Sequence, residues 1–377
     1  MCVIVTIDLT IQNLCRGRLE YFIEHGFDVT VVCAPTPLAA AIEARSVRLH
    51  TAPLTRKISP LRDLLALWNL YRFLRREQFD LVEVSTPKGA LIGSLAARLS
   101  GVPCLVHLLR GLAYQGKTGL GARLLRFAHA IPCRIADRVI SISTQTMEQA
   151  CRDDVCDRDK IEVLGYGSSN GVDLKRFSPL PEEVRRTERA ALGVTDNDVV
   201  AGFVGRLTRD KGIVELVDTF AALHETMPKL RLLVVGDYEK RDRPPQRVIN
   251  EITENTRIKH VEWQHETWRF FGAMDFLVLP THREGFGTVL LEAGAMGLPV
   301  VTTEAAGWWG AVDQAKEALC VPVGDSDKLR EAIARLAGDA ALRCRMGNAL
   351  REKVTTHYDC RRVWSLQEQA FRRLLNR

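Results

Sequence analysis

The chain has 377 residues, enough for two domains of ordinary size. Its composition, 46% apolar and 26% charged, is that of a soluble globular protein, and no apolar run reaches the ~18–20 residues that cross a bilayer as a helix. The net charge of +6 lies wholly in residues 1–180, with 23 Lys/Arg against 17 Asp/Glu, while residues 181–377 hold 29 of each. The first half is therefore expected to meet an anion, such as phospholipid headgroups, a polyprenyl diphosphate or nucleic acid.

In chain order, Val3 to Ile7 is a first strand that starts at once, without the charged-then-apolar pattern of a signal peptide. Leu14 to His25 has helical character and stops at Gly26, and Val29 to Cys33 is the next strand. Leu81 to Val84, Cys104 to Leu108 and Arg138 to Ile142 are further strands, with a small-residue helix at Ala90 to Leu99. This alternation predicts a parallel sheet with helices on both faces. The ten cysteines are scattered and show no zinc or redox spacing. They are expected as reduced thiols, with Cys33, Cys104 and Cys320 in the core.

Two segments of this half combine apolar and basic residues. Pro60 to Arg76 carries Leu61, Leu64, Leu65, Leu67 and Trp68 among four arginines, and Lys117 to Arg138 carries Leu120, Leu124, Leu125 and Phe127 among five basic residues. Basic amphipathic helices bind anionic bilayers. The ordinary fate of such a helix is to pack on its own sheet. That reading is preferred for the first segment, and both stand open for the second.

Gly165 to Asp173 is rich in turn formers, and Pro179 and Pro181 follow, which places a domain junction at about residues 165–190. The alternation then repeats. Val199 to Val204, Leu230 to Val235, Phe276 to Leu279 and Val300 to Thr303 are strands, and Ile213 to Glu225, Thr288 to Met296 and Lys328 to Ala337 are helices. The boundaries are set at 1–170, 171–358 and a terminal helix, 359–377, which would pack back on the first domain. The fold class is α/β, with two doubly wound Rossmann-like domains facing a central cleft.

Charged residues gather where strands of the second domain end. After Val204 the chain reads Gly205-Arg206-Leu-Thr-Arg-Asp-Lys211-Gly212, which puts two cations at a helix start, where they can hold a diphosphate. A Walker loop is absent. After Leu279 comes Glu284-Gly-Phe-Gly287, then a helix with Glu292, ended by Gly297-Leu-Pro299. Ligands of parallel α/β sheets bind at this edge, where free backbone N–H groups favour anions. Two carboxylates beside an anion site suit a ligand with both phosphates and hydroxyls, as in a nucleotide sugar. Asp325-Ser-Asp327 is expected as a helix cap with a first-turn acid, not a metal site.

These motifs, with Ser85-Thr-Pro-Lys88 and Asn170-Gly-Val-Asp173, resemble the retaining GT-B glycosyltransferases called family 4, over essentially the whole chain. The resemblance implies that Arg206 and Lys211 bind the donor diphosphate and Glu292 the ribose hydroxyls. Glu284 would contact the sugar, with Gly205 and the backbone of Gly285, Phe286 and Gly287 lining the site. Many members have His-Gly where this chain has Arg110-Gly111, so Arg110 is placed at the site with its partner open: a phosphate, a carboxylated sugar, the acceptor diphosphate or a structural acid. Nearby His107 reads as core. The first loop, Asp8 to Gly17, lacks the paired glycines common in the family. Trp308-Trp309 either stacks on the sugar or belongs to the core.

The resemblance implies transfer of a hexose or modified hexose from a nucleoside diphosphate to a hydroxyl acceptor, with retention. The acceptor is expected to be a polyprenyl-diphosphate-linked saccharide of bacterial surface polysaccharide assembly. No cofactor or metal is expected, nor nucleic acid as a partner. A cytoplasmic protein, peripheral on the inner face of the plasma membrane, fits that role. The alternative is a non-catalytic nucleotide-sugar or polysaccharide-binding protein. A dehydrogenase ranks lower, because the first strand and loop lack G-x-G-x-x-G.

Overall fold

The computed structural model describes residues 1–8, 10–11, 15–36, 39–43, 46–55, 59–239, 242–305, 311–312 and 316–376. It divides into two units, Met1–Gly171 with Cys360–Arg377, and Val172–Asp359. Each division falls one residue later than the sequence reading places it.

The first unit is built on seven parallel strands in the order β3-β2-β1-β4-β5-β6-β7. They are β1 (Cys2–Ile4), β2 (Thr30–Cys33), β3 (Arg48–Thr51), β4 (Leu81–Val84), β5 (Cys104–Leu109), β6 (Arg138–Ser141) and β7 (Ile161–Val163). Val3 of β1 pairs with Val31 on one side and Glu83 on the other. The helices are α1 (Arg18–Glu24), α2 (Ala39–Glu43), α3 (Pro60–Glu77), α4 (Pro87–Ser100), α5 (Gly119–Ile135) and α6 (Thr144–Arg152). Parallel crossovers are right-handed. Because β1 to β3 step one way across the sheet and β4 to β7 the other, α1 and α2 cover one face and α3 to α6 the opposite face. The direction of stepping reverses between β1 and β4, which makes that the switch point.

The second unit has six parallel strands in the order β10-β9-β8-β11-β12-β13. These are β8 (Val199–Val204), β9 (Leu230–Val235), β10 (Ile258–Val261), β11 (Phe276–Leu279), β12 (Val300–Thr303) and β13 (Ala318–Val321). Its helices are α7 (Glu182–Ala191), α8 (Ile213–Leu223), α9 (Gln246–Glu254), α10 (Thr267–Ala273), α11 (Thr288–Ala295), α12 (Ser326–Gly338) and α13 (Ala340–His357). The switch point lies between β8 and β11. Asp275, just before β11, fastens α7 to the sheet: its carboxylate takes Arg185 at 2.8 Å, buried Arg189 at 3.2 Å and the Val200 N–H at 2.7 Å. The last helix, α14 (Cys360–Leu375), returns to the first unit. There Trp364 and Phe371 pack at 5.6 Å on Tyr21 and Phe22 of α1.

Inner strands such as β5 are buried at every residue, as expected of a parallel sheet covered on both faces. The sequence reading finds those strands and misses β3, β7, β10 and β13, the four at the sheet edges. The helices cover the edges less fully. Arg48 and Thr51 of β3 are exposed, and β7 and β10 mix polar with apolar residues. The helix expected from Leu14 begins at Arg18, after Gly17 in a left-handed conformation (φ 74°). Cys33 and Cys104 are buried, whereas Cys320, on edge strand β13, is only half-buried. All ten cysteines are free thiols.

Candidate active site

The switch point of the second unit gathers the predicted charges from both sides. From the β8 side, a 3-10 turn at Arg209–Lys211 leads through Gly212 into α8. Gly212 has φ 72°, and a Cβ there would lie 1.9 Å from the carbonyl oxygen of Pro280, so only glycine lets this turn approach the end of β11. The approach brings Lys211 Nζ into an ion pair with Glu284 Oε2, both side chains largely buried. The other carboxylate oxygen of Glu284 accepts the Gly285 N–H at 3.1 Å. That donor, expected to face a ligand, is therefore engaged within the loop.

The same two loops are tied by groups that the sequence reading does not single out. His282 donates its backbone N–H to the Asp210 carbonyl at 2.8 Å. Its imidazole Nε2 lies 2.6 Å from Glu215 Oε1, and Arg283 pairs with Asp210 at 3.2 Å. Thr281 donates to the carbonyls of Asp210 and Arg283. The one sequence signal was opposite charge in two loops about seventy residues apart. Arg206 takes no part in the Lys211–Glu284 ion pair. Its exposed guanidinium pairs instead with Glu239, in the turn after β9. Gly205 directly follows β8 and donates its N–H to the Val235 carbonyl at 3.0 Å.

Gly287, in a left-handed conformation (φ 74°), starts α11. Phe286 beside it is a core residue, its ring edge-on to Tyr358 at 5.8 Å, so it can meet a ligand only through its backbone. The N–H groups of Phe286, Gly287, Thr288 and Val289 have no acceptor among the described residues. They form the anion-attracting start of a helix. On the same helix Glu292 is half-buried, and its carboxyl has no hydrogen-bonding or ionic partner among the described residues. Loss of solvation alone pushes its carboxyl up to about 8. Near neutral pH it is therefore largely protonated, and two hydroxyl donors would favour its ionised form. Asp325 caps α12 by accepting the Lys328 N–H at 2.9 Å, and Asp327 pairs with Arg330 at 2.8 Å. The Trp308-Trp309 loop lies outside the described residues.

In the first unit Arg110 follows β5 directly, with its Nη2 3.8 Å from the Cys15 sulfur. His107 is core: its Nδ1 lies 3.2 Å from the Val84 carbonyl, and burial lowers its pKa to about 4, so it is neutral. Helix α3 buries Ala66, Leu70, Phe73 and Leu74 on its inner side, as a helix packed on its own sheet should. It also leaves Leu61, Leu64, Leu65 and Trp68 exposed, and α5 exposes Leu120, Leu124 and Phe127, every one by at least 59%. The packing expected of the first segment is thus present. No helix among the described residues is long and apolar enough to cross a membrane.

The family description "Glycosyl transferases group 1" matches residues 184–353, and "Glycosyl transferase 4-like domain" matches residues 11–167. The chain belongs to the group 1 glycosyltransferases. It is 28% identical to the capsular polysaccharide biosynthesis glycosyltransferase CapM of Staphylococcus aureus, over 99% of this chain and 96% of that protein. It is 27% identical to an Escherichia coli UDP-Gal:alpha-D-GlcNAc-diphosphoundecaprenol alpha-1,3-galactosyltransferase, over 93% of this chain and 90% of the relative. Among solved structures, Anabaena HepE in complex with UDP superposes with a TM-score of 0.81 at 19% identity, covering 100% of this chain and 99% of that one. Sucrose-phosphate synthase of Thermosynechococcus elongatus gives 0.84 at 21% identity, covering 100% and 98%. These likenesses make the fold GT-B, with two Rossmann-like units.

Proposed function

We propose that this glycosyltransferase moves a hexose or modified hexose from a nucleoside diphosphate to a hydroxyl of a polyprenyl-diphosphate-linked saccharide, with retention, in surface-polysaccharide assembly. The observation that carries the donor half is the pairing of Lys211 with Glu284 across a switch point whose helix start has free N–H groups. The names of the capsular and diphosphoundecaprenol relatives support the acceptor half.

The free protein holds its cations against acids, Lys211 on Glu284 and Arg206 on Glu239. A diphosphate competes for both cations. When Lys211 turns to the phosphate, Glu284 is released to accept sugar hydroxyls, so donor binding itself arms the sugar contact. The free N–H groups of Phe286 to Val289 add partial positive charge, and Glu292 takes the ribose diol. Two cations and a helix start offset the charge of the leaving diphosphate without a metal. In the transfer step the acceptor oxygen bonds to the anomeric carbon as its bond to the phosphate oxygen breaks. The departing diphosphate takes that electron pair and the acceptor's proton. No carboxylate is assigned as a covalent nucleophile, so the two-carboxylate hydrolase scheme does not apply. Retention is accounted for by attack on the face the leaving group departs from.

The exposed apolar residues of α3 and of α5 support a membrane-surface acceptor. In a parallel α/β unit the helices run antiparallel to the strands, so their first halves lie at the carboxyl edge of the sheet. The apolar residues sit in those first halves, Leu61 to Trp68 and Leu120 to Phe127, with exposed Arg62, Arg72, Lys117, Arg123 and Arg126 around them. Apolar side chains in a basic setting suit an anionic bilayer. Vesicles with phosphatidylglycerol should co-sediment the protein and neutral vesicles far less. A Leu64→Glu/Trp68→Glu/Phe127→Glu variant that sediments like wild type would remove this part. For the reaction itself, a panel of nucleotide sugars is screened by thermal shift, and the best donor is assayed with lipid-linked acceptors. Transfer that survives intact in both Lys211→Ala and Glu284→Ala would refute the site.

A further inference from the structure

The switch point of the first unit carries a buried cluster of charges. Arg18 at the start of α1 donates from Nη2 to Glu83 Oε1 on β4 at 2.6 Å, and each side chain is at most 1% exposed. Arg18 Nη1 also donates to Gln367 Oε1 of α14 at 3.1 Å. Arg18 and Glu83 cancel each other, and Arg110 adds a third charge with no acid against it among the described residues. Its Nε and Nη1 are buried and donate to no acceptor among those residues. Its Nη2 lies against the Cys15 sulfur, a weak acceptor. Burial acts against its charge, and Arg18 adds to that, while Cys15 and Glu83 work the other way. Arginine keeps its proton in proteins, so the charge stays.

Arg110 is half-buried, with two of its three guanidinium nitrogens out of solvent. Guanidinium nitrogens buried without an oxygen partner destabilise the fold, and proteins keep them where a ligand supplies the partner. The place agrees. Arg110 leaves the carboxyl end of β5, Glu83 lies at that end of β4, and Cys15 and Arg18 lie on the connection after β1. They bracket the reversal in strand order, where doubly wound sheets bind ligands.

We infer that Arg110 is the centre of an oxyanion subsite in the first unit, taking a phosphate group of the acceptor. The source is the diphosphate of a lipid-linked acceptor. The subsite itself rests on the first unit alone, and only the naming of its source rests on the transferase reading.

Calorimetry tests this in wild type, Arg110→Gln and Arg110→Lys. Farnesyl diphosphate, a soluble probe of the lipid diphosphate, is titrated with UDP saturating, so that the diphosphate site of the second unit is filled. Wild type should bind farnesyl diphosphate, Arg110→Gln should bind it at least tenfold more weakly, and Arg110→Lys should keep most of the affinity. Because Gln removes a charge with no acid against it among the described residues, the Tm of the free variant should not fall. A lower Tm with unchanged farnesyl diphosphate affinity would mark a structural arginine and overturn the proposal, as would wild type that does not bind farnesyl diphosphate. UDP binds Arg110→Gln as it binds wild type. Failure of UDP to bind any of the three proteins would instead count against the donor site of the second unit.

Discussion

The two sheets follow the same winding rule but treat charge at their switch points in opposite ways. In the second unit Lys211, Arg206 and Arg283 each have an acid against them, namely Glu284, Glu239 and Asp210. In the first unit Arg18 is paired with Glu83, and Arg110 has no acid against it among the described residues. The difference concerns exchange. A cation held by an acid can be handed to a phosphate and returned, at little cost where the pair is exposed, since such pairs are worth only about 0–1 kcal/mol. A cation with no acid has nothing to give up, and it favours whatever anion arrives. Glu292 is the mirror case in the second unit, a carboxyl with no cation, held largely neutral until hydroxyls reach it.

Replacing Lys211 should have the largest effect. In the proposed reaction Lys211 stabilises the leaving diphosphate, so Lys211→Ala should lower transfer by roughly 10²–10³-fold, read as kcat in a donor-saturated assay. Glu284→Ala should lower transfer on a similar scale. Its effect on UDP affinity should be nil or slightly favourable, because UDP has no sugar and Lys211 is freed. The two variants thus separate by affinity although both lose turnover.

Glu292 gives an effect of intermediate size. Ribose hydroxyls favour its ionised form, so UDP binding between about pH 5 and 8 should release a proton, and affinity should rise with pH and level off above about 8. Calorimetry in buffers of different ionisation enthalpy counts that proton. The stability of the free protein should move the other way. A carboxyl raised in the fold is ionised in the unfolded chain from about pH 4.5, which favours unfolding increasingly up to about pH 8. Glu292→Gln should therefore raise Tm by an amount that grows over this range, while weakening UDP by about 1.5–3 kcal/mol. Glu239→Gln should show the smallest change. It frees exposed Arg206 and should tighten UDP binding by at most about 1 kcal/mol.

Much of this was legible in the sequence, for physical reasons. Inner strands such as β8 and β11 are covered on both faces and appear as unbroken apolar runs. The edge strands β3, β7 and β10 are partly exposed and keep Arg48, Glu162 and Lys259, which breaks the apolar signal. Lys211, Glu284 and Glu292 could be placed because each stands in or beside a glycine-marked strand-to-helix connection. The partners were illegible. Glu239 lies 33 residues from Arg206, and Asp210 lies 73 from Arg283, with no periodicity linking either pair. That Gly285 spends its N–H on Glu284, and that Arg110 lacks an acid, are facts of side-chain placement that charge counting does not reach.

The central claim is that the second unit's switch point binds a nucleoside diphosphate through Lys211 and Glu292. Isothermal titration of UDP, GDP and ADP into wild type, Lys211→Ala and Glu292→Gln, each folded by near-ultraviolet circular dichroism, tests it most directly. The account predicts that wild type binds at least one of the three and that both variants weaken that nucleotide by tenfold or more at pH 8. Equal affinity across the three proteins would contradict it.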